Sequence, residues 1–361
     1  MLPDDYRHMA RALLLARRGL YSTDPNPRVG CVLVRDGEIV GEGWHERTGK
    51  PHAEANALEI AGGSARGATA YVTLEPCCHY GRTPPCTDAL MAAGITRLVA
   101  AMSDPNPQVA GKGLAILRDA GIAVDCGVLE TEARALNPGF TQRMIAGRPF
   151  VRVKLAMSLD GRTALASGES RWLTDEAARQ DVQRLRARSS AVLTGSGTLL
   201  ADDPGLNVRL AEATRQPLRV ILDTALRTPP TAKTLRLPGP VLIFTASADP
   251  AKRAALRVAG ADIAAVPSAE GGLRLHAIMA ELARRECNEL QVESGPTLAG
   301  ALLQAGLVDE LVIYLAPLLL GDRARGLFRL PALTRMQDRW ELDTVETRAV
   351  GRDWRLTLRP R

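Results

Sequence analysis

Pro51-His52-Ala53-Glu54 and, further on, Pro76-Cys77-Cys78-His79-Tyr80-Gly81-Arg82-Thr83-Pro84-Pro85-Cys86 decide how the first part of this 361-residue chain is read. A catalytic zinc takes nitrogen and sulfur ligands in a tetrahedron and keeps one corner open for water. His52, Cys77 and Cys86 supply one imidazole and two thiolates, which leaves that corner free. The ion then lowers the pKa of the bound water enough for hydroxide to exist near neutral pH. Glu54 lies two residues past His52, at the start of a predicted helix. From there it reaches the water without ligating the metal and carries its proton to a departing group. Cys78 is left out, because adjacent cysteines do not easily place both thiolates on one ion.

A histidine, a glutamate two residues on and a later Pro-Cys with a second cysteine form the signature of zinc-dependent deaminases of nucleobase-like rings. A lone His-x-Glu means little; all the parts in order, each on a suitable element, mean a great deal. The departure is the spacing: the signature's second cysteine follows closely, whereas here a long loop precedes Cys86.

Working outward, apolar residues at helical spacing (Met9, Leu13, Ala16) predict a helix over residues 6–18. Strand-like runs at 29–34 and 38–40 flank Asp36-Gly37, a hairpin signal. A second helix over 53–61 is stopped by Gly62-Gly63. Strands at 70–74, 98–102 and 122–124 alternate with helices at 87–93 and 113–120, which implies a three-layer α/β sandwich. Turn formers around a short helical patch over residues 137–149 mark a domain boundary, giving domains 1–147 and 148–361. A second α/β unit then opens with a strand at 150–155 and continues through strands at 191–194, 219–222, 241–244, 289–293 and 310–315.

Composition agrees with two soluble domains. Nearly half the residues are hydrophobic, and no apolar stretch is long enough to span a bilayer. The amino terminus lacks the architecture of a signal peptide, so the cytoplasm is the expected location and no membrane partner is expected. The net charge of +6 is carried mostly by arginine, with lysine only at positions 50, 112, 154, 233 and 252. No basic run is interleaved with aromatics, so no nucleic-acid partner is expected, whereas a phosphorylated small molecule suits the charge. Three of the six cysteines fall between 77 and 86, which reads as metal chemistry in a reducing compartment.

On these residues the chain resembles the bifunctional deaminase/reductases of riboflavin biosynthesis, over essentially its whole length. The resemblance is carried by Asp24-Pro25-Asn26-Pro27-Arg28-Val29-Gly30-Cys31-Val32, Gly41-Glu42-Gly43-Trp44-His45, Pro51 to Glu54, Thr73-Leu74-Glu75-Pro76-Cys77, His79 to Cys86 and Asp104-Pro105-Asn106-Pro107. The long loop between the cysteines is the family's own form. The resemblance implies a cytidine-deaminase-like first domain acting on a diaminopyrimidinone that bears a phosphoribosylamino group, releasing ammonia and leaving the corresponding uracil. By the same resemblance, Asn26, His45, His79, Arg82, Asp104 and Asn106 line the substrate pocket.

In the second domain, Val292-Glu293-Ser294-Gly295-Pro296-Thr297-Leu298-Ala299-Gly300 ends a strand, turns at glycine and opens a helix, a setting that suits a pyrophosphate. Thr194-Gly195-Ser196-Gly197-Thr198 is a similar turn. The absence of G-x-G-x-x-G disfavours a standard Rossmann domain. Resemblance again extends the reading, through Lys154 to Arg162, Ser167 to Trp172, Leu199 to Pro204 with Leu206 and Arg209, and Glu293 to Gly300. It implies a dihydrofolate-reductase-like fold that uses NADPH to reduce the ribosyl group to ribityl. Ala156, Trp172, Thr198, Asp202, Thr224, Gly295, Pro296, Thr297, Leu298, Ala299, Gly300 and Ala301 would hold the cofactor. Lys154, Ser170, Arg186, Leu206, Arg209 and Glu293 would hold the substrate. A homo-oligomer, dimer or tetramer, is expected.

Two rival classes predict other features. A nucleic-acid base deaminase with an accessory domain uses the same zinc chemistry but wants a basic, aromatic-lined channel. A binding module with a structural zinc wants a fourth protein ligand and has no use for Glu54.

Overall fold

The computed structural model describes residues 3–80, 84–269 and 272–361. The chain divides into two compact units between Arg148 and Pro149. Alternation along the first central strand, Gly30–Arg35, sets the layers of the first unit. Cys31 and Leu33 enter one apolar core with the helices Ala53–Ala61, Cys86–Ala93 and Lys112–Asp119. Val32 and Val34 enter the other, with Pro3–Ala16, Glu130–Leu136 and Pro138–Ala146. This is the period-two pattern of a strand buried on both faces.

The five strands run in the order Glu38–Trp44, Gly30–Arg35, Thr69–Val72, Arg97–Ala100, Ala123–Cys126. Gly30–Arg35 is antiparallel to both its neighbours, and the remaining pairs are parallel. Asp36 and Gly37 both have positive φ, 53° and 83°, as a two-residue hairpin turn requires. Two other glycines set a close approach: a Cβ on Gly41 would lie 2.3 Å from the Ala57 carbonyl, and one on Gly43 would lie 2.3 Å from that of Ala53. The helix Ala53–Ala61 therefore rests backbone to backbone on the Glu38–Trp44 strand.

The stretch before the second unit is more helical than its turn formers suggest, with helices Glu130–Leu136 and Pro138–Ala146 meeting at Asn137. Pro138 sits in a helical first turn, where its missing N–H costs nothing, and Gly147 ends that helix at φ 63°.

Nine strands form the sheet of the second unit. Their order is Ala261–Ala265, Val241–Thr245, Leu218–Leu222, Ala191–Gly195, Glu289–Glu293, Phe150–Ser158, Glu310–Ala316, Asp353–Pro360, Leu342–Val350. All pairs are parallel up to Glu310–Ala316, and the last two strands are antiparallel. Leu218–Leu222 and Val241–Thr245 read as near-continuous apolar runs because both faces are covered, whereas Phe150–Ser158 and Glu289–Glu293 alternate, with Arg152, Lys154, Glu289, Gln291 and Glu293 between core residues. Three further strands carry no such run. Ala261–Ala265 is alanine-rich, and the hairpin Leu342–Val350 with Asp353–Pro360 is polar, its outer strand exposed along nearly all its length. Phe150–Ser158 runs three residues past the predicted end, which moves Lys154 from a strand terminus to the middle of the sheet. Among the described residues no helix is long and apolar enough to cross a membrane.

Candidate active sites

The three predicted metal ligands converge. His52 is the N-cap residue of the Ala53–Ala61 helix, Cys77 follows the strand Thr69–Val72, and Cys86 opens the Cys86–Ala93 helix. His52 Nδ1 lies 3.6 Å from the Cys77 sulfur and 3.3 Å from that of Cys86. Their ligand atoms all lie within 4.8 Å of one another, and one imidazole nitrogen with two sulfurs is a donor set that fits zinc. The bond from the Cys86 side chain outweighs burial, with His52 and the Cys86 N–H adding to it, and pulls Cys77 down to about 4. That same shared bond, with burial, pushes Cys86 well up. A divalent cation bound here would displace the thiol protons.

Glu54 stands in the first turn of the same helix and is buried. Burial raises its carboxyl above the ordinary range, with the His52 charge pulling the other way. A raised carboxyl is what a proton carrier near neutral pH needs. Nearby, the His45 ring meets that of His52 edge to face, 5.4 Å between centroids. Burial lowers His45 below the ordinary imidazole range. Its Nδ1 donates to the Pro51 carbonyl (3.1 Å), which leaves Nε2 to accept from the Asn26 amide (3.1 Å). That fixes the tautomer and aims the asparagine. Asp104 is buried, and burial raises it to about 6, while its Oδ1 accepts from the Asn106 N–H at 2.8 Å.

In the second unit a charged cluster sits inside the sheet. Lys154 and Glu293 are register partners on adjacent parallel strands. Arg186, on the helix Glu176–Arg188, grips the Glu293 carboxylate with two bonds, 2.6 Å from Nε and 2.7 Å from a terminal nitrogen. Its other terminal nitrogen donates to the Asn207 carbonyl at 2.9 Å, and the Gln291 amide donates to Glu293 at 2.8 Å. Burial alone would raise Glu293, but Arg186, with Lys154 behind it, holds the carboxyl down at about 2. Burial lowers Lys154, partly offset by Glu293, and its ammonium lies 5.8 Å from the centre of the Tyr314 ring. Arg209 is exposed and is lowered by partial burial and by repulsion from Arg186.

The two small-residue turns meet beside this cluster. The Gly295 N–H donates to Thr198 Oγ1 at 3.1 Å, which joins the starts of the helices Ser196–Asp202 and Pro296–Gln304. Each helix has a glycine as its N-cap residue, Gly195 and Gly295, with no side chain of its own to cap it, so first-turn N–H groups there suit the oxygens of a phosphate ester. A cavity of about 370 Å³ opens at the second of them, lined by Pro296, Thr297, Arg325, Gly326, Phe328 and Arg329.

Comparison with known proteins resolves the pairing of these two sites. Residues 149–356 match the model of the RibD C-terminal domain, and residues 3–102 match that of the cytidine and deoxycytidylate deaminase zinc-binding region. The riboflavin biosynthesis protein RibD of Escherichia coli is 52% identical, over 98% of either chain. That of Haemophilus influenzae is also 52% identical, over 98% of this chain and 96% of its own. The chain belongs to the RibD family. Among solved structures, RibD of Acinetobacter baumannii superposes with a TM-score of 0.94 at 46% identity, covering all of both chains. A deaminase/reductase from Thermotoga maritima gives 0.87 at 34% identity over 99% of each. This RibD-family chain is accordingly a hydrolytic deaminase joined to a reductase, and it acts in riboflavin biosynthesis.

The other residues singled out in the sequence are spread around these two centres. In the first unit of this RibD-family chain, His79 is exposed on the loop between the cysteines, and Arg82 lies outside the described residues. In the second, Trp172 is exposed with Arg179 stacked over it at 4.7 Å, and Arg171 donates to the Asp202 carbonyl at 2.7 Å. Leu206 is buried with a left-handed backbone (φ 53°), Ser170 and Thr224 are exposed, and Ala156 lies two residues beyond Lys154. Asn207, Gln291, Arg325 and Arg329 were not anticipated, since none carries a local pattern. Glu75 stood in a quoted motif without a role.

Proposed function

We propose that the first unit removes an amine from a diaminopyrimidinone bearing a phosphoribosylamino group, giving the uracil and ammonia. In this reading the second unit then uses NADPH to reduce the opened ribosyl chain to ribityl. The observation that carries the first half is the buried Glu54 one residue into the helix whose N-cap is a metal ligand. His52, Cys77 and Cys86 would hold a zinc ion, which when bound would supply a Lewis acid able to activate water at neutral pH. Glu54 takes the water's proton and delivers it to the leaving amine. The Asn26 amide, fixed by His45, and Asp104 with Asn106 read the ring edges; His79 and Arg82 complete the pocket.

NADPH supplies the hydride, and the second unit contributes position and polarity. Thr198, Asp202, Thr224, Trp172, Ala156 and residues 295–301 hold the cofactor, supported by the joined helix starts. Lys154, Ser170, Arg186, Leu206, Arg209 and Glu293 hold the substrate, and Arg186 also keeps Glu293 ionised. The thiolate pair supports a reducing, cytoplasmic setting. The exposed outer strand Leu342–Val350 supports a homo-oligomer, dimer or tetramer, which light scattering on the purified chain tests. Incubating the full chain with the pyrimidine, with and without NADPH, tests the whole scheme. Ammonia is expected in both reactions and the ribityl product only with NADPH; a chain that releases no ammonia would remove its first half.

A further inference from the structure

Glu75 is a buried carboxylate two residues before the ligand Cys77, and four backbone N–H groups donate to it. Oε2 accepts from the N–H groups of Asp104 (3.0 Å) and Gly111 (2.9 Å). Oε1 accepts from those of Gly113 (2.9 Å) and Leu114 (3.3 Å). The last two open the helix Lys112–Asp119, whose N-cap residue Gly111 has no side chain of its own. Glu75 therefore caps that helix from another part of the chain, with its charge at the favourable end of the dipole. At the same contact a Cβ on Gly113 would lie 2.2 Å from the Pro76 carbonyl, so the helix start is pressed against the residue next to Cys77. The Glu75 N–H in turn donates to the Met102 carbonyl at 3.0 Å. One residue thus fastens both ends of the segment 104–114 to the strand end that carries a metal ligand.

We infer that Glu75 is a positioning residue for deamination: it holds the turn of Asp104 and Asn106 at a fixed place relative to Cys77. The inference rests on the proposed reading of that turn as part of the substrate pocket. Glutamate suits the task because four N–H donors need four acceptor lone pairs. In Glu75→Gln the amide nitrogen must face two N–H donors whichever way it turns. The turn loosens, while His52, Cys77 and Cys86 remain to hold the ion.

The test is steady-state deamination by the full chain, with zinc content measured on the same samples. Glu75→Gln is expected to raise KM for the pyrimidine about tenfold or more, to change kcat much less and to keep its zinc. Glu75→Asp, which keeps all four lone pairs on a shorter stem, should fall between it and the wild type. A wild-type KM in Glu75→Gln overturns the role, and so does loss of zinc, which would make Glu75 a support for the metal alone. Asn106→Ala separates this from the pocket assignment. A raised KM there beside a wild-type KM in Glu75→Gln removes only the Glu75 role, whereas a wild-type KM in Asn106→Ala removes the assignment and the inference with it. Should Glu75→Gln fail to fold, Gly113→Ala decides: it keeps the carboxylate but drives the helix start away from it. The same rise in KM is expected, and an unchanged KM overturns the inference.

Discussion

Arg186 and Glu293 meet through two bonds of 2.6 and 2.7 Å with both side chains largely buried, so this arginine's fork is already engaged. Spacing alone would make Arg186 a solvated member of an arginine-rich helix, and resemblance makes it a substrate ligand. The geometry adds a further contact to these readings, one that holds a carboxylate ionised inside the sheet. Among the described contacts Arg209 is left with its guanidinium free for a phosphate.

Arg209→Ala is therefore expected to weaken binding of the deaminated substrate by about ten- to a hundredfold, the cost of one charge-assisted contact. Affinity for NADPH should stay the same. Titrating the variant with each ligand checks this, and a selective loss of NADPH would assign Arg209 to the wrong phosphate.

Removing Arg186 should act differently. Breaking a buried ion pair from one side costs about 3–5 kcal/mol, because the other charge stays behind. Arg186→Ala should lower the chemical-denaturation midpoint of the reductase unit as well as its activity. Equal stability of variant and wild type would show that the pair is mere contact.

Acid should reveal the same pair. The Glu293 carboxyl is held near 2, below its ordinary value of 4.5. A depressed folded-state pKa stabilises fully above the unfolded value and is lost as pH falls through the folded one. Unfolding followed between pH 4.5 and 2 should show this loss in the wild type. Glu293→Gln, lacking the ionisable group, should show a shallower fall; parallel curves would count against it.

Cys77→Ser and Cys86→Ser should each lose metal, while Cys78→Ser should keep both metal and deamination. Cys78 lies outside the set of ligand atoms that converge, which is His52, Cys77 and Cys86. Metal analysis of the three purified variants distinguishes them; a zinc-free Cys78→Ser would revise the ligand set.

Glu54→Gln should retain zinc and fold yet lose deamination by roughly a hundredfold or more, the usual cost of a missing acid/base. Its NADPH-dependent reduction of the deaminated substrate should continue unchanged. Near-normal ammonia release would move the proton carrier elsewhere.

The convergence of His52, Cys77 and Cys86 was legible in the sequence because metal coordination dictates residue type as well as order. Apolar runs made parallel strands such as Leu218–Leu222 and Val241–Thr245 legible for a similar reason, since a strand covered on both faces has little freedom of composition. The polar hairpin Leu342–Val350 with Asp353–Pro360 was not legible, because an edge strand facing solvent can be written in almost any polar residues. Arg186 and Glu75 were opaque in another way. Their meaning lies in partners 107 and up to 39 residues distant, and nothing in the local pattern encodes a contact at that range.

Gly41 and Gly43 carry a mechanical consequence. The helix that positions His52 and Glu54 is seated on bare main chain, with no compressible side chain between helix and strand. At those two points its height above the strand Glu38–Trp44 is set by contact of backbone with backbone. A single methyl at either glycine acts as a shim and shifts every part mounted on the helix at once.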